Sequence, residues 1–180
     1  MSLASLRRWV TRSSTAGAAN ADNLSLPAVT EALFVEGLTF ANGQGVARDF
    51  AHAAACYTKA AEQGHSVAQL NLAALYEHGQ GVARDEGTAR LWLTKAANLG
   101  NAAAQYRLGV QGHLASRTGR AGSLAEGRIE ALKWVRLSAA QGCRGAENAC
   151  EFVALGMTRE EVAEGARRAA AFLPPTHHAV

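Results

Sequence analysis

The apolar positions of this chain fall into paired stripes. Ala68, Leu72, Leu75 and Tyr76 recur at i, i+4, i+7 and i+8, the spacing that sets one face of a helix against a core. Ala89, Trp92, Ala96 and Ala97 make a second stripe a short way along. Gly79 stands between them where the first helix must stop, because glycine enters the left-handed region at little cost. Gly81 completes a tight turn, Val82 fills the gap between the two helices, and Asp85 caps the next helix with its carboxylate. Gly100 ends the second stripe. The segment reads as a helical hairpin.

The hairpin is repeated. Gly43-Gln44-Gly45-Val46-Ala47-Arg48-Asp49 recurs unchanged as Gly79-Gln80-Gly81-Val82-Ala83-Arg84-Asp85, an offset of 36 residues. The same offset carries Ala32 to Ala68 to Ala104, Phe40 to Tyr76, Thr58-Lys59-Ala60-Ala61 to Thr94-Lys95-Ala96-Ala97, and Gly64 to Gly100. Six further residues bring Trp92 onto Trp134 and Gly100 onto Gly142, so a third unit follows, lengthened by an insertion around Ser116 to Ser123. A period in the thirties with two apolar stripes per unit predicts stacked helical hairpins. The expected fold is an all-α, right-handed α–α superhelical solenoid of about three to four helix-turn-helix repeats with a C-terminal capping helix. Helices are expected at 31–42, 49–63, 67–78, 86–99, 102–114, 124–141, 145–155 and 158–172. The corresponding organisation is an N-terminal extension over 1–23, a solenoid over 24–173 and a tail over 174–180. The solenoid comprises units 31–66, 67–102 and 103–144 and a partial unit 145–173. Ser123 with Glu126, and Thr158 with Glu161, have the spacing of capping boxes.

The pattern resembles the Sel1-like repeat family, a relative of the tetratricopeptide repeats. Its signature, A-x-x-x-L-G-x-x-Y-x-x-G-x-G-V-x-x-D-x-x-x-A-x-x-W-x-x-K-A-A-x-x-G, can be followed from Ala68 to Gly100, with Ala73 in place of glycine. Unit one departs further, with Glu36 for the apolar residue and Cys56 for the aromatic. Unit three keeps Ala104, Leu108, Gly109, Trp134 and Gly142 but loses the G-x-G-V-x-x-D turn. The segment Ala146 to Pro174, with Met157-Thr158-Arg159-Glu160-Glu161, looks like the closing segment of many bacterial members. The resemblance covers roughly Glu31 to Leu173. It implies a helical binding scaffold, and it implies that Cys56, Cys143 and Cys150 are reduced thiols, because disulfide-bearing members place their cysteines elsewhere in the unit.

Composition narrows the options. Apolar residues are 48%, aromatic residues 6% and charged residues 18%, and only three prolines interrupt the chain, which favours closely packed helices over sheets. Apolar runs fall far short of the roughly 18 residues of a membrane span. The net charge of +3 suggests nucleic acid until it is located. Arg7, Arg8 and Arg12 precede the first acid, Asp22, and the rest of the chain holds 15 basic against 15 acidic residues. A neutral body offers nucleic acid no basic face. The extension itself, with Leu3, Leu6, Trp9 and Val10 along one helical side, is Arg- and Ser-rich and acid-poor, the pattern of an organelle transit peptide. Two addresses stay open: a mitochondrial protein, or a bacterial cytoplasmic one with a short basic tail.

No catalytic constellation is legible. The G-x-G turns follow helices rather than strands, and Asp49 and Asp85 occupy the helix starts that a phosphate would need. Neither Ser-x-x-Lys nor Gly-x-Ser-x-Gly occurs. No cysteine pair has C-x-x-C or other metal spacing, and Cys150 takes the core stripe position of Leu72 and Leu108. His52, His65, His78 and His113 are scattered singly and read as solvated. No cofactor, catalytic residue or metal site is expected.

The expected function is therefore a non-enzymatic scaffold or adaptor that grips a protein or peptide partner on the concave face lined by first helices. The candidate contact residues are Phe34, Leu38, Leu70, Ala74, Glu77, His78, Tyr106, Val110 and His113, flanked by Glu31, Ala41, Val67 and Ala103. Phe34, Leu70 and Tyr106 would form an apolar ladder, one rung per repeat. The alternatives are a structural subunit of a larger, mitochondrial assembly, whose outer faces would also be apolar, and an enzyme or small-ligand binder built on Glu77, His78 and His113.

Overall fold

A computed structural model describes residues 25–118 and 124–174. The transit-like extension 1–23, the tail beyond Pro174 and the Ser123 half of the first capping box lie outside the described residues. Among the described residues there are eight helices and no strand. They are α1 (Leu26–Asn42), α2 (Phe50–Glu62), α3 (Ser66–His78), α4 (Glu86–Asn98), α5 (Ala102–Arg117), α6 (Leu124–Ala140), α7 (Ala146–Ala154) and α8 (Arg159–Ala170). Consecutive helices pack as hairpins, and each hairpin packs on the next, as in an all-α helical repeat solenoid.

Most boundaries fall within two residues of the expected ones, and the exceptions have local causes. Helix α1 starts five residues before position 31, because Pro27 sits in its first turn, where its fixed φ suits a helix and its missing N–H is not needed. Helix α5 runs on to Arg117 because Ala115 stands where Gly79 stops α3, so nothing turns the chain left-handed there. The two identical loops behave as read. Gly43 and Gly79 terminate α1 and α3 at φ 69° and 66°. Asp49 accepts from the N–H groups of Ala51 and His52, and Asp85 from those of Gly87 and Thr88. Thr158 and Glu161 close a capping box at the start of α8.

Small residues let the helices approach. One buried cluster joins Ala53, Ala54, Tyr57, Ala60, Ala61, Ala68, Leu72 and Leu75, with Val82 packed on it. A second joins Ala73, Leu93, Ala96, Ala97, Ala104, Leu108 and Trp134. Trp92 touches both clusters but is only half-buried, and Leu93, beside it, is the largest fully buried residue of α4. The helical register turns Leu93, rather than Trp92, fully inward. At Gly109 a methyl group would stand 2.4 Å from Val135 Cγ1 and 2.9 Å from the Ala131 carbonyl oxygen, so glycine is what lets α5 lie against α6.

The C-terminal helices close the stack. Val153 of α7 and Val162 of α8 pack with Ala131, Leu132 and Val135 of α6, and Cys150 is half-buried in the same cluster. Arg128 of α6 donates to the Gly156 carbonyl at 2.7 Å and to Glu161 at 3.0 Å. Arg168 of α8 pairs with Glu126, which is therefore engaged across helices. Phe172 returns to pack edge-on to Trp134, with ring centroids 5.6 Å apart.

Candidate functional site

Helices α1, α3 and α5 contribute side chains to one face, and polar links tie that face together. His65, the N-cap of α3, accepts from the Ala68 N–H through Nδ1 at 3.0 Å. That leaves the proton on Nε2, which faces Glu31 of α1 at 3.1 Å. Asn101, one repeat on, caps α5 in the same way through its side-chain oxygen. Farther along the face, Glu77 of α3 accepts from Arg107 and, at 2.6 Å, from Gln111 of α5. The partners in these links are 34, 30 and 34 residues apart, so each link joins a first helix to that of the next repeat.

The expected contact residues divide into four groups. Phe34 and Leu70 are half-buried shoulders of the two core clusters, and Phe34 stacks on His65 with centroids 4.4 Å apart. The first two rungs of the expected ladder thus also carry packing, with the Phe34 ring 6.1 Å from that of Tyr57. Leu38, Ala74, Tyr106 and Val110 are partly exposed on the face, and Glu31, Val67 and Ala103 are exposed at its edge, with Ala41 partly so. Glu77 and His78 line an open polar cleft of about 670 Å³ with Arg84, Glu86, Gly87, Arg90 and Gln111. The fourth group is His113 alone. It is buried, not solvated and not on the open face, because Phe152 of α7 lies edge-on to it at 5.0 Å. Burial, reinforced by Arg117 and Arg128, pulls its pKa below the ordinary 6.5.

Of the four histidines read as solvated, only His78 is fully exposed. His52 Nε2 stands 3.1 Å from Glu36 Oε1, and Phe40 lies over its ring at 4.0 Å. Cys56 lies beside them, and the three ligand-type atoms of Glu36, His52 and Cys56 are within 4.8 Å of one another. Sequence reasoning compared cysteines only with cysteines and so missed this group. Its signal was the i, i+4 spacing of His52 and Cys56 on one helix face. Burial, then the Glu36 charge, push the Cys56 thiol up to about 11, so it is a protonated, buried thiol rather than a ready nucleophile. All three cysteines are free thiols.

The Sel1 repeat family model matches three times, over residues 32–65, 66–101 and 102–143. With more than half of its length so matched, the chain belongs to the Sel1 repeat family. Two solved structures are similar to it. One is a protective antigen present in uropathogenic Escherichia coli strains and described as displaying an SLR fold, at 28% identity and a TM-score of 0.63 over 91% of this chain and 33% of that one. The other is a Sel1 repeat protein from Oxalobacter formigenes, also at 28% identity and a TM-score of 0.63, over 81% of this chain and 62% of that one. The chain thus spans a third of the first relative and about three-fifths of the second. No curated protein matches it. Sel1 repeat proteins act generally in protein–protein interaction. No helix among the described residues is long and apolar enough to cross a membrane.

Proposed function

We propose that this protein is a non-catalytic adaptor that holds an extended or helical segment of a protein partner on the face lined by α1, α3 and α5. The observation that carries the reading is the composition of that face. Half-exposed Leu38, Leu70, Ala74, Tyr106 and Val110 run along it, and it ends in the cleft of Glu77, His78, Arg84, Glu86 and Arg90. Apolar rungs supply contact area, and the mixed-charge cleft supplies hydrogen bonds that set register. Helix pairs pinned by Glu31–His65 and Glu77–Arg107 keep the face rigid, so little ordering free energy is lost on binding.

The test is site-specific photo-crosslinking in the native host. A photoreactive residue at exposed His78 is expected to capture the partner, and one at Leu91, exposed on α4, is not. Capture from Leu91 and not from His78 would move the site to the second helices. That outcome would favour the bracket reading, in which the chain is a structural subunit of an assembly. Leu91 is 54% exposed and Leu155 is 83% exposed, so apolar side chains do stand on outer faces as that reading requires.

A further inference from the structure

The chain's own repeats mark three positions where unit one differs from the others. Leu72 and Leu108 are buried where unit one has Glu36, and Trp92 and Trp134 stand where it has Cys56. Thr88 and Glu130 stand where it has His52. Two of these departures lie four residues apart on α2 and the third lies 16 residues earlier on α1, and the fold brings all three to a single point. We propose that Glu36, His52 and Cys56 form a binding site for a zinc-class divalent cation, held between α1 and α2.

The chemistry fits the donors. A borderline cation such as zinc takes thiolate sulfur, imidazole nitrogen and carboxylate oxygen together, at about 2.0–2.3 Å in a tetrahedral arrangement. Donor atoms around such an ion stand roughly 3.3–3.8 Å apart by that geometry. The present group, within 4.8 Å, is reached by small side-chain rotations. The helix fixes His52 and Cys56 on one face, and the tilted Phe40 ring and the close approach of Gly37 to Cys56 Cβ hold the group in place.

Charge gives the second argument. The Glu36 side chain is only 14% exposed and that of His52 is 33% exposed, and Cys56 is buried. The Glu36 carboxylate faces the His52 ring at 3.1 Å, and a thiolate beside it would add like-charge repulsion. A divalent cation compensates both anions. It displaces the thiol proton to solvent, one S–H bond giving way to one S–metal bond. Two plus charges then meet one thiolate and one carboxylate, and the site is neutral. Neutral imidazole is the third donor, and the partly exposed His52 side leaves the fourth position open to water or to a donor from a partner.

The experiment uses the full chain with Cys143→Ser and Cys150→Ser, so that Cys56 is its one thiol, and titrates it with cobalt(II) under reducing, anaerobic conditions. The expected result is a thiolate-to-cobalt charge-transfer band that saturates at one equivalent and is bleached by zinc. Cys56→Ser is expected to abolish the band. Glu36→Gln and His52→Gln are each expected to keep the helical circular dichroism and to weaken the metal by about tenfold or more. Absence of a charge-transfer band overturns the proposal. A band of unchanged affinity in both Glu36→Gln and His52→Gln overturns it as well, because cobalt would then be held by a thiol without this site. Both of these variants test the site even if Cys56→Ser fails to fold.

Discussion

Two loops of identical sequence do different work in this protein. Gly43–Asp49 and Gly79–Asp85 share all seven residues, both start with a left-handed glycine, and both end on an aspartate cap. The middle glycines are not equivalent. At Gly45, φ is +73° and a methyl group would meet nothing within 4 Å. At Gly81, φ is +70° and a methyl group would stand 2.2 Å from the Phe50 carbonyl carbon and 2.3 Å from its oxygen. Gly81 lies on the start of α2 in the preceding unit, whereas Gly45 has open space around its Cα among the described residues. Local sequence sets the turn, and the neighbouring repeat decides how much depends on it. That is the expected behaviour of a quasi-one-dimensional stack, whose stability is a sum of units and interfaces.

The largest effect is therefore expected at Gly81. Gly81→Ala must displace backbone, not a flexible side chain, and should cost about 3 kcal/mol or more. Gly45→Ala meets only the left-handed strain, about 1–2 kcal/mol. Urea denaturation of the two variants checks this, and equal losses would show that the loops do not differ in the way described. The next pair is the two tryptophans. Trp134 is buried against Leu93, Ala96, Ala97 and Phe172, and Trp134→Ala should cost about 3–5 kcal/mol. The half-buried Trp92, with the Lys95 ammonium 4.0 Å from its ring centroid, should cost roughly half as much in the same change. Thermal melts that rank Trp92 above Trp134 would show that Trp92 carries the greater share of the packing.

His113 provides a pH test of the way unit three is covered. Its folded pKa is lowered, so below 6.5 the unfolded chain takes up the proton before the folded chain does. The contribution is fully present above that value and is lost as the pH falls below it. His113→Leu should flatten the acid side of the melting-temperature profile between neutral pH and the folded pKa. An unchanged profile would mean that α7 does not hold His113 neutral.

The repeat length, the hairpins, the turn glycines and the aspartate caps were legible because each is a local event with a known residue preference. The Thr158 box at the start of α8 was legible for the same reason. His113 was not, since its position on the first-helix stripe says nothing of α7, which brings Phe152 over it from 39 residues away. Nor was the cap made by His65, whose imidazole does what Asn101 does one unit on, although histidine stands outside the usual capping residues. The candidate site was half legible. Spacing placed Glu77 and His78 on the face, but Arg84, Glu86 and Arg90 reach the same cleft from the loop and α4, which no stripe on α3 reveals.

The smallest expected effect comes from comparing units two and three at a buried glutamine. Gln69 Nε2 donates to the Ala61 carbonyl at 2.9 Å, and Gln105 Nε2 donates to the Ala97 carbonyl at 3.1 Å, so the two amides are set alike. Their oxygens are not. Gln105 Oε1 accepts from Gln141 Nε2 at 2.8 Å, whereas the buried Gln69 Oε1 has no partner among the described residues. The residue of unit two that corresponds to Gln141 is Leu99, which follows α4 as Gln141 follows α6. Leu99→Gln should supply the missing donor and stabilise the fold by about 0.5–1 kcal/mol, after the loss of some half-buried leucine surface. In a chain that already carries Gln69→Leu the same change should bring no gain, so a double-mutant cycle in urea separates the hydrogen bond from any other effect of the substitution. An equal gain in both backgrounds would show that the amide at position 99 finds some partner other than Gln69.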